Sequence, residues 1–191
     1  MAALFARRRP PRGEPDGIGV ALLAGGPRVA VWACLASLHS TGAISVSPDG
    51  RLSCPGPAPD QDTVAFAVFT ALRDGTVRPD ALETAPVVAA AVARLRQQLA
   101  ADGWWDNRAA TRRLLARLRG AHEHLAPQLD PSWRLYGPNG AALTVALFGA
   151  GAIWRADPRL ARTLGLPRAP VRRRPPEPGS QVDEHADCGC A

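Results

Sequence analysis

Apolar positions at helical spacing occur twice in this chain, 61 residues apart. Ala30, Val31, Cys34 and Leu38 lead into Gly42 and Ile44. Ala91, Val92, Leu95 and Leu99 lead into Gly103 and Trp105. Each stripe predicts a helix with one apolar face, closed by a glycine C-cap. The apolar pair that follows (Ala43-Ile44, then Trp104-Trp105) predicts an emerging strand. A helix–glycine–strand unit is the second half of a winged helix. The expected fold is therefore mainly α, with two tandem winged-helix-like units at residues 16–56 and 58–106.

The punctuation between the stripes completes each unit. Asp16 can cap a short helix carrying Ile18, Val20, Leu22 and Leu23, which Gly25-Gly26-Pro27 breaks. Proline is favoured at the first helical position, so Pro27 opens the next helix. Ser47-Pro48-Asp49-Gly50, flanked by residues 43–46 and 51–54, predicts a β-hairpin that would serve as the wing. A linker follows at 55–59. Asp60 or Asp62 would cap a helix bearing Val64, Phe66, Val68, Phe69 and Leu72, closed by Asp74-Gly75. Pro79 starts a small helix, and Thr84-Ala85-Pro86 leads into the second stripe.

Residues 107–166 read as an amphipathic helix and an apolar one. Over 109–125, Leu114, Leu115, Leu118 and Leu125 share a face, and Arg112, Arg113, Arg117 and Arg119 crowd the rest. A loop bounded by Pro127 and Pro131 holds Trp133 and Tyr136. Residues 140–154 carry no charge, with Asn139 as the expected N-cap. Fifteen residues at about 1.5 Å each span roughly 22 Å, short of a bilayer core of roughly 30 Å. A buried central helix is the expectation. Asp157-Pro158 opens a last helix, 159–164, closed by Gly165. The ends, 1–15 and 167–191, are rich in Arg and Pro and are expected to be disordered.

Composition narrows the function. A 46% hydrophobic fraction over 191 residues suffices for a core. All 23 basic residues are arginine, a bias that matches high-GC bacterial coding rather than a mechanism. The net charge of +6 would suit nucleic acid, but residues 16–106 sum to −3 while 107–126 carry five Arg against one Glu. A DNA reader would present Arg28, Ser37, His39 and Ser40 from the first stripe helix, or Arg94, Arg96, Gln97 and Gln98 from the second. Phosphate neutralisation supplies most of such affinity, so an acidic module is poorly placed. DNA binding is the alternative reading, and nucleic acid is not the expected partner. The basic helix, through Arg112, Arg113, Arg117 and Arg119, suits an anionic surface such as a membrane face.

Candidate chemistry is sparse. No secretory signal is expected, because the short apolar run of residues 1–6 precedes Arg7-Arg8-Arg9. Cys34 and Cys54 fit reduced, structural positions. Cys188 and Cys190, with His185 and Asp187, would make a four-ligand metal set, but zinc sites gather two well-separated pairs and no second pair exists here. His122-Glu123-His124 lacks the i, i+4 spacing of helical metal ligands. No nucleophile, phosphate-binding or dinucleotide motif occurs. No catalytic residue, metal or cofactor is expected.

Leu22-Leu23-Ala24-Gly25-Gly26-Pro27-Arg28-Val29-Ala30-Val31, with Leu35-Ala36-Ser37-Leu38, Gly42-Ala43-Ile44 and Gly50-Arg51-Leu52, resembles the opening of an uncharacterised family of high-GC bacterial membrane proteins. That family shares an "LAGGPRxAV" motif and a Gly/Cys-rich C-terminal tail. The stretch from Tyr136 to Trp154, followed by Asp157-Pro158 and Leu164-Gly165-Leu166, is similar to the family's "ALFG…W…DP" segment. The resemblance implies a membrane location and no catalytic residue. Typical members carry two hydrophobic segments between the repeat and the basic helix. Here Trp105-Asp106-Asn107-Arg108 joins them directly, and the tail holds two cysteines. The resulting expectation is a non-enzymatic accessory module for an unidentified protein partner, cytoplasmic or peripheral at the inner membrane face.

Overall fold

The computed structural model describes residues 10–61, 63–75, 79–127 and 133–168. Helix α1 (Gly17–Ser40) starts where Asp16 accepts a hydrogen bond from the Gly19 N–H at 2.7 Å. Gly26 breaks it with φ 77° and ψ −166°, a conformation that a Cβ would oppose, and Pro27 then restarts the helix. The two halves fold back on each other. Asp16 and Ile18 line the same cavity as Ser37, Leu38 and Thr41, whereas a straight 24-residue helix would hold its ends about 36 Å apart.

Helix α5 (Trp133–Phe148) repeats the device at Gly137-Pro138, with φ 66° and ψ −176°. Its packing on α1 is the most extensive helix–helix contact among the described residues. Gly17 makes that approach: a Cβ there would lie 2.8 Å from the Ala142 Cβ and 2.9 Å from the Asn139 carbonyl oxygen. Asn139 does not cap its own helix, because Gly137 and Pro138 already provide the restart. Its Oδ1 accepts from the Gly17 N–H at 2.8 Å, so it caps α1 from across the interface.

The apolar run 140–154 is buried as expected through Ala141, Val145 and Ile153. It is not one helix, however. Gly149, at φ 66° and ψ −153°, separates α5 from α6 (Ala150–Ala156). Asp157 then caps α7 (Pro158–Thr163), accepting from the Arg159 and Leu160 N–H groups.

Strands β1 (Ser45–Val46) and β2 (Leu52–Ser53) pair antiparallel, Ser45 with Ser53 and Val46 with Leu52. The expected turn joins them. Helix α2 (Val64–Arg73) is capped by Thr63, which accepts from the Phe66 N–H, rather than by Asp60, because the cap must directly precede the first turn; Asp62 lies outside the described residues. A 3₁₀ turn (Pro79–Thr84) leads into α3 (Pro86–Ala101).

Trp104 and Trp105 form no strand. Gly103, at φ 82°, closes α3: its N–H reaches the Ala100 carbonyl and the Trp104 N–H the Leu99 carbonyl, a Schellman cap. Asn107 then caps α4 (Arg108–Ala121) by accepting from the Ala110 N–H, so a helix begins before a strand can extend. That helix stops at Ala121, short of the expected 125. A 3₁₀ turn (Glu123–Leu125) carries Leu125 to a buried position.

The protein is thus mainly helical with a small two-stranded sheet among the described residues. One continuous apolar core draws on all seven α-helices, from Val20 in α1 through Val68, Val88, Leu114, Val145 and Ile153 to Leu160 in α7. Its members lie on both sides of residues 56–58 and 106–107.

Candidate functional site: the basic face of α4

Helix α4 buries Leu114 and Leu118 and leaves Arg108, Arg112, Arg113, Arg117 and Arg119 exposed. At about 100° per residue, Arg108, Arg112 and Arg119 form one flank and Arg113 and Arg117 the other. Ala109, Ala116 and Gly120 lie exposed between the flanks, opposite the core. The guanidinium Nε atoms of Arg112 and Arg113 each donate at 3.4 Å to the carbonyl one turn back, on Arg108 and Ala109. Arg117 alone of the five forms an ion pair with a described residue, Glu14. The other four have no carboxylate partner among the described residues.

The flanks have different neighbours. Beside Arg108 and Arg112, a shallow cavity of about 610 Å³ is bounded by Trp105, Leu115 and Leu23. The Trp105 ring also carries the Arg96 guanidinium 4.6 Å from its centroid. On the Arg113 and Arg117 flank, residues 10–15 cross the α3–α4 corner. Part of the N-terminal stretch expected to be disordered is therefore placed by specific bonds: the Arg12 N–H donates to the Asp102 carbonyl at 2.8 Å, and the Trp104 indole N–H to the Arg12 carbonyl at 3.3 Å.

The residues weighed for DNA lie on α1 and α3. Arg28 stacks on Trp32 at 5.5 Å. His39 pairs with Asp157 at 3.4 Å, and the Ser40 hydroxyl donates to the Ser37 carbonyl. Arg94 and Gln98 share a groove of about 730 Å³ with Asp16 and Asp60, and Gln97 is exposed. Arg96 is engaged by Trp105. Ser37 lines the same groove as Arg94 and Gln98.

The weak metal candidates His185, Asp187, Cys188 and Cys190 lie outside the described residues. Within them, no group of three or more His, Cys, Asp or Glu side chains could hold a metal ion. The His122 and His124 rings stand 5.7 Å apart, with Tyr136 5.3 Å from His124. Cys34 is fully buried, and burial, reinforced by the Asp16 charge, pushes its thiol pKa far above the ordinary value. Burial also raises the half-buried Cys54, against an opposing pull from Arg73. Neither has the electropositive, accessible setting of a reactive thiol.

By length and composition, one helix among the described residues, α1, is long and apolar enough to cross a membrane. Half of its most apolar stretch is buried within the fold, and the reversal at Gly26 divides it. No model of a known protein family, no curated protein and no solved structure matches this chain. What the fold and this face define is a mainly helical protein with a small hairpin and one arginine-rich helix on its surface.

Sequence reasoning located four of the five arginines from periodicity. It did not name Arg108, the first residue of the helix, among them. It missed Glu14 altogether, since nothing local to residues 10–15 signals a partner 103 residues away.

Proposed function

We propose that this protein is a non-enzymatic accessory module that attaches to an anionic surface, the inner face of a bacterial membrane, through the arginine face of α4. The observation that carries this reading is four exposed arginines on one helix with no described acidic partner. The apolar face of α4 is spent on the protein core, so the helix lies on the headgroups rather than among the acyl chains. A basic residue close to such a surface contributes about 1 kcal/mol, which makes the attachment peripheral and sensitive to salt. The resemblance to the LAGGPRxAV membrane-protein family supports the same location, and a protein partner held at that surface would complete the role.

Co-sedimentation with vesicles tests the proposal. The protein should pellet with vesicles containing anionic phospholipid and not with zwitterionic ones, and high salt should release it. Replacing Arg108, Arg112, Arg113 and Arg119 together with Gln should weaken binding about a thousandfold while leaving the melting temperature unchanged, since none of the four pairs with a described carboxylate. Binding that ignores all four changes, or equal binding to neutral lipid, contradicts the mechanism.

A further inference from the structure

The α3–α4 corner carries a second surface of a different character. We propose that it is a docking groove for a proline-rich peptide segment bearing an acidic residue, filled here in cis by the chain's own residues 10–15. Pro10 and Pro11 border a cavity of about 430 Å³ whose other walls include Trp104, Leu114 and Arg117. Trp104 is 8% exposed, and its indole N–H donates to the carbonyl of Arg12, the residue that follows the proline pair. The Arg12 N–H in turn donates to the Asp102 carbonyl at 2.8 Å. Gly13, at φ 60°, turns the segment so that Glu14 meets Arg117. Pro11 is half-buried while Pro10 and the three residues after Pro11 are exposed, so Pro11 is the proline that rests on the corner; Pro15, also half-buried, lies against Gly19 of α1.

Each contact suits such a ligand. Prolines have no N–H and a fixed φ, so the segment needs no internal hydrogen bonds and loses little entropy on docking. Its carbonyls are free to accept, and an indole N–H at the edge of an apolar groove is the matching donor. Arg117 meets Glu14, three residues beyond Pro11, and selects for a carboxylate at that place. The contacts all lie on one short continuous segment, so the same sequence on another chain can replace it. The covalent link gives the cis segment an effective concentration of order millimolar, which a competitor in trans must exceed. The groove shares Arg113 and Arg117 with the arginine face, and its test needs no lipid.

The test uses the full chain and the Trp104 indole N–H resonance, assigned with Trp104→Phe. One variant carries Pro10→Ala, Pro11→Ala and Glu14→Gln together. The ligand is the synthetic peptide Pro-Pro-Arg-Gly-Glu-Pro-Asp, which contains no tryptophan. The resonance should shift in the triple variant and return saturably as peptide is added. The native chain should need at least about tenfold more peptide for the same displacement. A peptide with Gln in place of Glu should bind several-fold more weakly. Glu14→Gln alone, a change at an exposed side chain, should move the resonance in the same direction by less, and keeps the test valid if the triple variant is destabilised. An unshifted resonance in both variants, no response to millimolar peptide, or identical titrations of native and variant chains would overturn the proposal.

Discussion

Two helices of this protein end the same way and continue differently. Leu38 and Leu99 sit at equivalent places in their stripes, both almost fully buried, and Gly42 and Gly103 follow with φ 75° and 82°. In each case the glycine N–H bonds back to a carbonyl three residues earlier, His39 or Ala100. After Gly42 the chain enters a hairpin, because Ser47-Pro48-Asp49-Gly50 returns it and Ser45-Val46 finds a partner in Leu52-Ser53. After Gly103 no such turn is encoded, and Asn107 caps α4 within four residues. An apolar stripe and a glycine thus specify a helix and its end, while the residues beyond decide what comes next. The first corner closes on α7 through β1 and the His39–Asp157 pair. The second opens onto the arginine face and the docked segment 10–15.

The sharpest way to break this comparison is to charge the paired leucines. Leu38→Asp and Leu99→Asp each bury a carboxylate without a partner, at a cost of several kcal/mol, roughly. Both side chains belong to one continuous core, so either change should abolish the whole thermal transition seen by circular dichroism. A variant that keeps half its helical signal with its own cooperative melt would show two separately folding units. A smaller effect is expected at the glycines. Gly42→Ala and Gly103→Ala should each cost about 1–2 kcal/mol, since both place a Cβ in the left-handed region. Matching losses would support the shared cap, and a loss at one position alone would separate the two corners.

The smallest effect belongs to the hairpin. The Ser47 hydroxyl donates to Asp49 and holds its carboxyl pKa below the ordinary value. A lowered folded pKa means that this contribution is present above the unfolded carboxylate pKa and is lost as pH falls through the folded one. Amide resonances of residues 49–51 should titrate in that acidic window, and Ser47→Ala should move their midpoint upward. A midpoint that Ser47→Ala leaves unchanged would remove the local assignment.

Local signals made much of the fold legible. Helical periodicity marked both stripes, Asp16 and Asp157 marked helix starts, and the turn sequence marked the hairpin. The contribution of Asn139 was not legible, because it caps Gly17 across 122 positions of sequence. The break at Gly149 was hidden in a run of small apolar residues that also suits a continuous helix. Trp104-Trp105 looked like a strand by composition, yet strand formation needs a partner that the following residues do not provide. The basic face was readable because solvent and core divide a helix by period alone. The segment resting on it was not, since a proline-rich stretch looks the same whether free or docked.

The most direct measurement is amide hydrogen exchange of the full chain with and without anionic vesicles at low salt. Attachment through the second corner predicts slowed exchange across α4, residues 108–121, with the hairpin at 45–53 unchanged. High salt should erase the difference. Protection centred on the hairpin or on α1 and α5, or none on α4, would contradict the account.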